Sequence, residues 1–345
     1  MAARMLFSVA MKRVPRSGLG RQLPADRPLS GLTKGLLLAG AVAGVPLLVS
    51  EVIRRRAEPP QSPGWGRTHR FAGAFGEIVF QELGTGSPPL LLLHSFGPGY
   101  DGDQWRQAAE LLAERHTVFV PDLPGWGRSE TPRGGYAPER YVDAVDGFLR
   151  RVVRDRAVVV AAGMAAAYAV RIAAAHPERV GALVLATPLG LRADAPAFDG
   201  AGAAFLRRLL HLPVLRTTAL DWLTSRPALT QHLRKEVYAA PERVDAALLD
   251  HHYRASHLPR ARVALAAWLG GDLWMSVEED LERLDIPLLL TWGRAAKSAP
   301  PENADLWLRA APQARLEVFE GSGELPHVES PAAFVRAVER FLGGG

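Results

Sequence analysis

The sequence predicts an α/β fold in which a mostly parallel, doubly wound sheet carries an inserted helical cap. Short, almost wholly apolar runs alternate with stretches of helical periodicity, as strands and helices do in a parallel sheet. Residues 188–284 contain no strand-like run and are broken by several prolines, so we expect a set of helices there. The 345 residues are enough for a full core, and the absence of cysteine excludes disulfides and thiolate chemistry.

The strand-like runs follow one another along the chain with helical stretches between them. Two short runs lie within 70–84, and the later predicted strands are 89–94, 116–120, 156–162, 179–187, 285–292 and 314–319. The clearest predicted helices are 103–114, 139–154 and 164–175. We therefore predict a core formed by 67–187 and 285–345, with 188–284 as a cap inserted between two sheet strands.

The basic charge of the chain lies in its first 60 residues. The whole chain has a formal net charge of +5 and a pI near 9.8. Residues 1–60 contain ten basic and three acidic side chains, a net charge of +7, so the remaining 285 residues carry −2. The body has no basic stripe, and we therefore expect no nucleic-acid partner.

An uncharged apolar stretch in this N-terminal region predicts a membrane segment. We divide the region into a basic leader, 1–56, and a linker rich in proline and glycine, 57–66. Within the leader, about 35–53 approaches the roughly 20 residues that a bilayer-spanning helix needs. We expect membrane association and a membrane-anchored location, with the side unresolved and the cytoplasmic face slightly favoured. A cleaved signal peptide and an apolar helix packed on the domain are the alternatives.

Five short motifs in a fixed order carry a family resemblance. They are residues 94–97 (HSFG), 121–129 (PDLPGWGRS), 175–180 (AHPERV), 292–293 (WG) and 321–327 (GSGELPH). Together they resemble the α/β-hydrolase superfamily, from about residue 68 to residue 342. The resemblance implies the α/β-hydrolase fold with a helical cap, and a catalytic triad whose serine lies in a turn between a strand and a helix.

The residues at the implied triad positions cannot perform that chemistry. The nucleophile position is Gly163, and 156–170 contains no Ser, Cys, Asp, Glu or His. The acid position is Ala296 and the base position is Glu324, while His327 aligns with a second histidine three residues further on. A serine hydrolase needs a nucleophilic oxygen, a base and an orienting acid. The resemblance therefore implies a triad of which no member is intact.

Other parts of the implied pocket do not depend on those side chains. The backbone N–H groups of Phe96 and Met164 are the implied oxyanion-hole donors, and any residue can supply such a donor. We expect His94, Trp222 and Trp268 to contribute to the pocket.

Two main functions stay open. The leading hypothesis is a non-catalytic or repurposed bacterial family member that binds a small apolar or carbonyl-bearing ligand, or a protein partner. The alternative is a hydrolase or lyase of small carbonyl or ester compounds in which Glu324 or His327 serves as a substitute base. A plain ester or amide hydrolase would need a nucleophile that the sequence lacks. We expect no cofactor, and no metal because the cap histidines lack the spacing of a metal site.

Overall fold

The computed structural model describes residues 64–195 and 219–343, which form an eight-stranded sheet flanked by helices. The strands are β1 (Arg67–Gly73), β2 (Gly76–Leu83), β3 (Leu90–Leu93), β4 (Val118–Pro121), β5 (Ala157–Ala162), β6 (Val180–Ala186), β7 (Leu288–Gly293) and β8 (Arg315–Phe319). Their order is β1-β2-β4-β3-β5-β6-β7-β8. The β1–β2 and β2–β4 pairs are antiparallel and the other pairs are parallel, which confirms the predicted fold class.

The central strands are buried on both faces, as their composition predicts. Leu91 and Val159 are paired in the β3–β5 ladder and pack into the core on one face of the sheet. Leu90 and Val158, also paired, pack into the core on the other face. Because side chains alternate along a strand, a wholly apolar run fills both cores at once.

Helices connect the parallel strands and form the insertion. They are α1 (Arg106–Leu112), α2 (Pro138–Phe148), α3 (Ala165–Ala175), α4 (Arg226–His232), α5 (Ala246–His257), α6 (Pro259–Leu269), α7 (Glu278–Glu282), α8 (Ala304–Ala310), α9 (Pro326–Glu329) and α10 (Pro331–Gly343). Between β6 and β7, the described residues form helices and turns and contain no strand, in the region predicted as the cap. The proposed limits of core, cap and linker stay predictions.

Helix α5 of the insertion lies directly on the loop that follows β3. The Nδ1 of His252 is 2.7 Å from the carbonyl oxygen of Pro98. A Cβ placed on Gly99, whose φ is +75°, would lie 2.4 Å from the His252 backbone, so glycine is needed for this close approach. The insertion is thereby held against one edge of the candidate site.

The expectation of a membrane-anchored protein is corrected. None of the helices within 64–195 and 219–343 has the length and apolar character required to cross a membrane. The predicted segment, about 35–53, lies outside the described residues. Its local hydrophobicity was the whole basis for expecting membrane association, and the structure adds no support for it.

Candidate functional site

The turn between β5 and α3 keeps the shape of a nucleophile turn with glycine at its apex. Gly163 has a φ of +56°, a conformation that glycine adopts without the steric cost of a side chain. Its N–H donates to the Ala186 carbonyl at 3.0 Å, and its carbonyl accepts from the Leu189 N–H at 3.1 Å. Both bonds tie the apex to the end of β6, so the turn is held in place although no reactive side chain is present.

The side chain of Ser95 fills the space beside this glycine. A Cβ built on Gly163 would lie only 2.2 Å from Ser95 Oγ and 3.2 Å from Ser95 Cβ. The Ser95 backbone is fixed, because its N–H donates to Gln104 Oε1 at 3.1 Å and its carbonyl oxygen lies 2.8 Å from His94 Nδ1. A hydroxyl from the loop after β3 has therefore replaced the side chain that the turn itself lacks.

Two backbone donors without partners belong to residues of the same cleft. Phe96 and Met164 both line the cleft, and their N–H groups have no hydrogen-bond partner among the described residues. Met164 immediately precedes α3, an 11-residue helix whose dipole places partial positive charge at this end. Such an arrangement favours a carbonyl oxygen or an anion.

Glu324 links the predicted base position to the loop of the predicted acid position. Its Oε1 accepts hydrogen bonds from the N–H groups of Lys297, at 2.7 Å, and Ser298. Burial raises the pKa of Glu324 to about 7, although these backbone donors act in the opposite direction. Ala296 is buried beside these donors and offers no functional group. One carboxyl group thus connects two loops, and the family resemblance implies a separate catalytic residue on each of them.

These groups surround a small, partly open cleft with a cavity volume of about 30 Å³. Its walls are apolar where Met164, Leu189 and Trp268 contribute, and polar where Ser95 and Thr187 do.

Thr187 is one of four polar cleft residues that the sequence did not single out as pocket residues, with Ser95, Tyr100 and Ser298. It is 4% exposed with a φ of +44°, and its buried Oγ1 has no hydrogen-bond partner among the described residues. The only local signal for Ser95 was a serine in a loop that resembles a His-Gly sequence.

Three residues expected near the site lie elsewhere. His327 is fully buried, stacks on Trp105 with ring centroids 3.8 Å apart and does not line the cleft. Burial lowers the pKa of His327 to about 3, which is unsuited to a base at neutral pH. Trp222 is 46% exposed and also lies outside the cleft lining. His94 is a buried loop residue whose Nε2 accepts from the Leu123 N–H at 2.9 Å.

An ion-pair cluster joins the insertion to the loops beside the cleft. His251 Nε2 of α5 lies 3.2 Å from Asp101 Oδ1, and Arg128 contacts both Asp103 and Asp122. Asp101 raises the pKa of His251 to about 9. Burial alone would raise the pKa of Asp101, but His251 lowers it well below its usual range.

The same cluster has ligand atoms of Asp101, Asp103 and His251 within 4.8 Å of one another. The Arg128 guanidinium and the charged His251 ring pair with its carboxylates, so the contacts in the structure are those of an ion-pair network.

Comparison with known proteins gives concordant results. The model of the alpha/beta hydrolase family matches residues 90–337. An uncharacterised protein of Mycobacterium tuberculosis is 28% identical over 272 residues, covering 76% of this chain and 77% of that protein. The 2-hydroxymuconate semialdehyde hydrolase of Pseudomonas putida is 27% identical over 293 residues, covering 82% of this chain and 96% of that enzyme.

Solved structures support the same fold. CarC, a serine hydrolase involved in carbazole degradation, has a TM-score of 0.66 at 20% identity, covering 81% of this chain and 99% of CarC. A variant of CumD, a meta-cleavage product hydrolase, has a TM-score of 0.66 at 22% identity, with coverage of 81% and 99%. The family match spans most of the sheet, both loops of the cleft and the helical insertion, and the chain therefore belongs to the alpha/beta hydrolase family.

Proposed function

We propose that this protein binds a small, largely apolar compound with a carbonyl or carboxylate group, without cleaving it by a Ser-His-acid triad. The observation that carries the proposal is the contrast at the turn after β5. Gly163 presents no nucleophile, yet the N–H groups of Phe96 and Met164 beside it are free of partners among the described residues. Oriented donors in a partly desolvated cleft bind a carbonyl or carboxylate oxygen strongly.

The walls of the cleft and the relatives support the same ligand class. Leu189 and Trp268 supply apolar surface, while Ser95 and Thr187 supply hydroxyl groups near the two backbone donors. Ligand clefts of this kind combine apolar walls with a few polar groups that fix orientation. One of the named relatives is a hydrolase of 2-hydroxymuconate semialdehyde.

The test uses benzoate as a non-cleavable probe and 2-hydroxymuconate semialdehyde as a cleavable one. We expect saturable benzoate binding in calorimetry, lost in Leu189→Trp, which fills the cleft, and kept in the control Leu316→Trp, a residue 36% exposed on β8. We expect the absorbance of the semialdehyde to persist over many equivalents. Benzoate binding that Leu189→Trp leaves intact would refute the proposed site. Multiple turnover that this variant abolishes would refute a purely binding role.

A second candidate function rests on Glu324. Its carboxyl group lines the cleft and, with a pKa near 7, is ionised in about half of the molecules at neutral pH. Such a group can serve as a general base for a water-mediated hydrolysis or a lyase reaction. This candidate predicts turnover that Glu324→Gln removes and that the control Glu320→Gln, at an exposed ion pair, leaves unchanged. Turnover that is equal in both variants would reject it.

A further inference from the structure

Ser95 occupies the space that a side chain on the turn after β5 would need. Its Oγ lies 2.2 Å from the position of a Cβ on Gly163, which is far shorter than a van der Waals contact. Ser95 is 9% exposed, it lines the cleft, and its hydroxyl has no hydrogen-bond partner among the described residues. The hydroxyl is therefore available to bond to a group that enters the cleft.

The surroundings of Ser95 reproduce the local relation that a nucleophile has to its oxyanion donor. The residue after Gly163 is Met164 and the residue after Ser95 is Phe96; both line the cleft, and neither N–H has a hydrogen-bond partner among the described residues. A hydroxyl on either turn is thus followed immediately by one of the two donors. Moving the hydroxyl from residue 163 to residue 95 keeps both donors next to it.

We propose that Ser95 Oγ is a covalent acceptor for small electrophilic carbonyl compounds, such as activated esters and aldehydes, in the cleft of the proposed function. The inference rests on that function, because the compound must first bind there. The Ser95 oxygen adds to the carbonyl carbon and the carbonyl π-electron pair moves to its oxygen. The resulting oxyanion is bound by the N–H groups of Phe96 and Met164. The hydroxyl proton goes to the ionised carboxylate of Glu324, which lines the same cleft.

With an activated ester, the same step is completed by loss of the leaving group. The C–O bond to the leaving alcohol or phenol breaks, its electron pair leaves with that oxygen, and an ester of Ser95 remains. No oxidant or reductant is needed. The sequence motif alone assigns no such role to Ser95, since it lies on the loop after β3 and not in the turn after β5.

Phenylboronic acid tests the inference directly, because its trigonal boron becomes tetrahedral when a hydroxyl oxygen adds to it. We expect a tetrahedral boron signal in ¹¹B NMR with the wild-type chain and at least tenfold weaker binding in Ser95→Ala, which shows no such signal. Ser225→Ala is the control, because Ser225 lies outside the cleft lining, where its Oγ donates to the Trp222 carbonyl at 2.7 Å, and it should keep the tetrahedral signal.

Benzoate separates the failure of this inference from the failure of the proposed function. Benzoate lacks an electrophilic centre, and its binding should survive Ser95→Ala within threefold, which also shows that the variant folds. Trigonal boron in the wild-type complex, or a tetrahedral signal that persists in Ser95→Ala, would overturn the covalent role while leaving ligand binding intact. A wild-type chain that does not bind benzoate would overturn both the proposed binding function and the covalent role of Ser95.

Discussion

The contact between Ser95 and Gly163 predicts an energetic coupling that can be measured. Gly163→Ala forces a side chain into a left-handed conformation, φ +56°, which costs roughly 1–2 kcal/mol for an L-residue. The new Cβ would also lie 2.2 Å from Ser95 Oγ and 3.2 Å from Ser95 Cβ, and such overpacking costs about 1–3 kcal/mol. We expect a loss of about 2–5 kcal/mol in the native background, but only about 1–2 kcal/mol when Ser95→Gly has emptied the space.

The assay is a double-mutant cycle in urea, with the free energy of unfolding followed by tryptophan fluorescence. The coupling energy isolates the contact between residues 95 and 163. The backbone strain of Gly163→Ala is the same with Ser95 and with Ser95→Gly, and it therefore cancels. Gly135→Ala is the control: Gly135 has a φ of +96° with no atom within 4 Å of an added Cβ, so its cost should not depend on residue 95. A coupling energy near zero between 95 and 163 would refute the packing argument.

Three further predictions concern titratable groups. Because Asp101 raises the pKa of His251 from 6.5 to about 9, the resulting stability is fully present below pH 6.5 and is lost as pH rises through 9. His251→Gln should remove this loss from urea midpoints between pH 7 and 9.5, and an unchanged slope would contradict the assignment. Burial raises the pKa of Glu324 from 4.5 to about 7, so stability should fall as pH rises from 4.5 through 7. Glu324→Gln should flatten that part of the Tm profile, and a fall that persists would point to another group. His327→Phe should change the free energy of unfolding by less than about 1 kcal/mol, because the neutral ring has no hydrogen-bond partner among the described residues and stacks on Trp105. Weaker benzoate binding in this variant would contradict its position outside the cleft.

The sequence predicted the sheet well because its strands are short, apolar and separated by helices. The predicted strand at 156–162 is observed as β5, Ala157–Ala162. The two runs within 70–84 are observed as β1, which begins earlier, at Arg67, and β2, which begins at Gly76. Strand order is a different matter, since hydrophobic periodicity says which residues are buried but not which strand is the neighbour. The placement of β4 between β2 and β3 could therefore not be derived from the pattern.

Motif spacing predicted the parts of the site that lie in turns next to strands. It could not predict the parts that depend on how distant loops pack together. Gly163, Met164 and Phe96 lie where turns next to strands place them. The orientation of the Glu324 carboxyl toward the loop after β7 could not be foreseen, because it depends on how two loops pack. The removal of His327 from the cleft by its stacking on Trp105 is likewise a result of tertiary packing.

The packing of Ser95 against Gly163 also decides how the missing serine should be understood. A glycine that merely replaced a nucleophile would leave its former volume empty or open to water. Here the volume holds a hydroxyl group from another loop, and the two backbone donors that face it are retained. A side chain at 163 is incompatible with the present rotamer of Ser95, because its Cβ would lie 2.2 Å from Ser95 Oγ and 3.2 Å from Ser95 Cβ. Restoring a serine at 163 alone therefore creates strain and a collision, whereas restoring it together with Ser95→Gly creates only the strain of the turn.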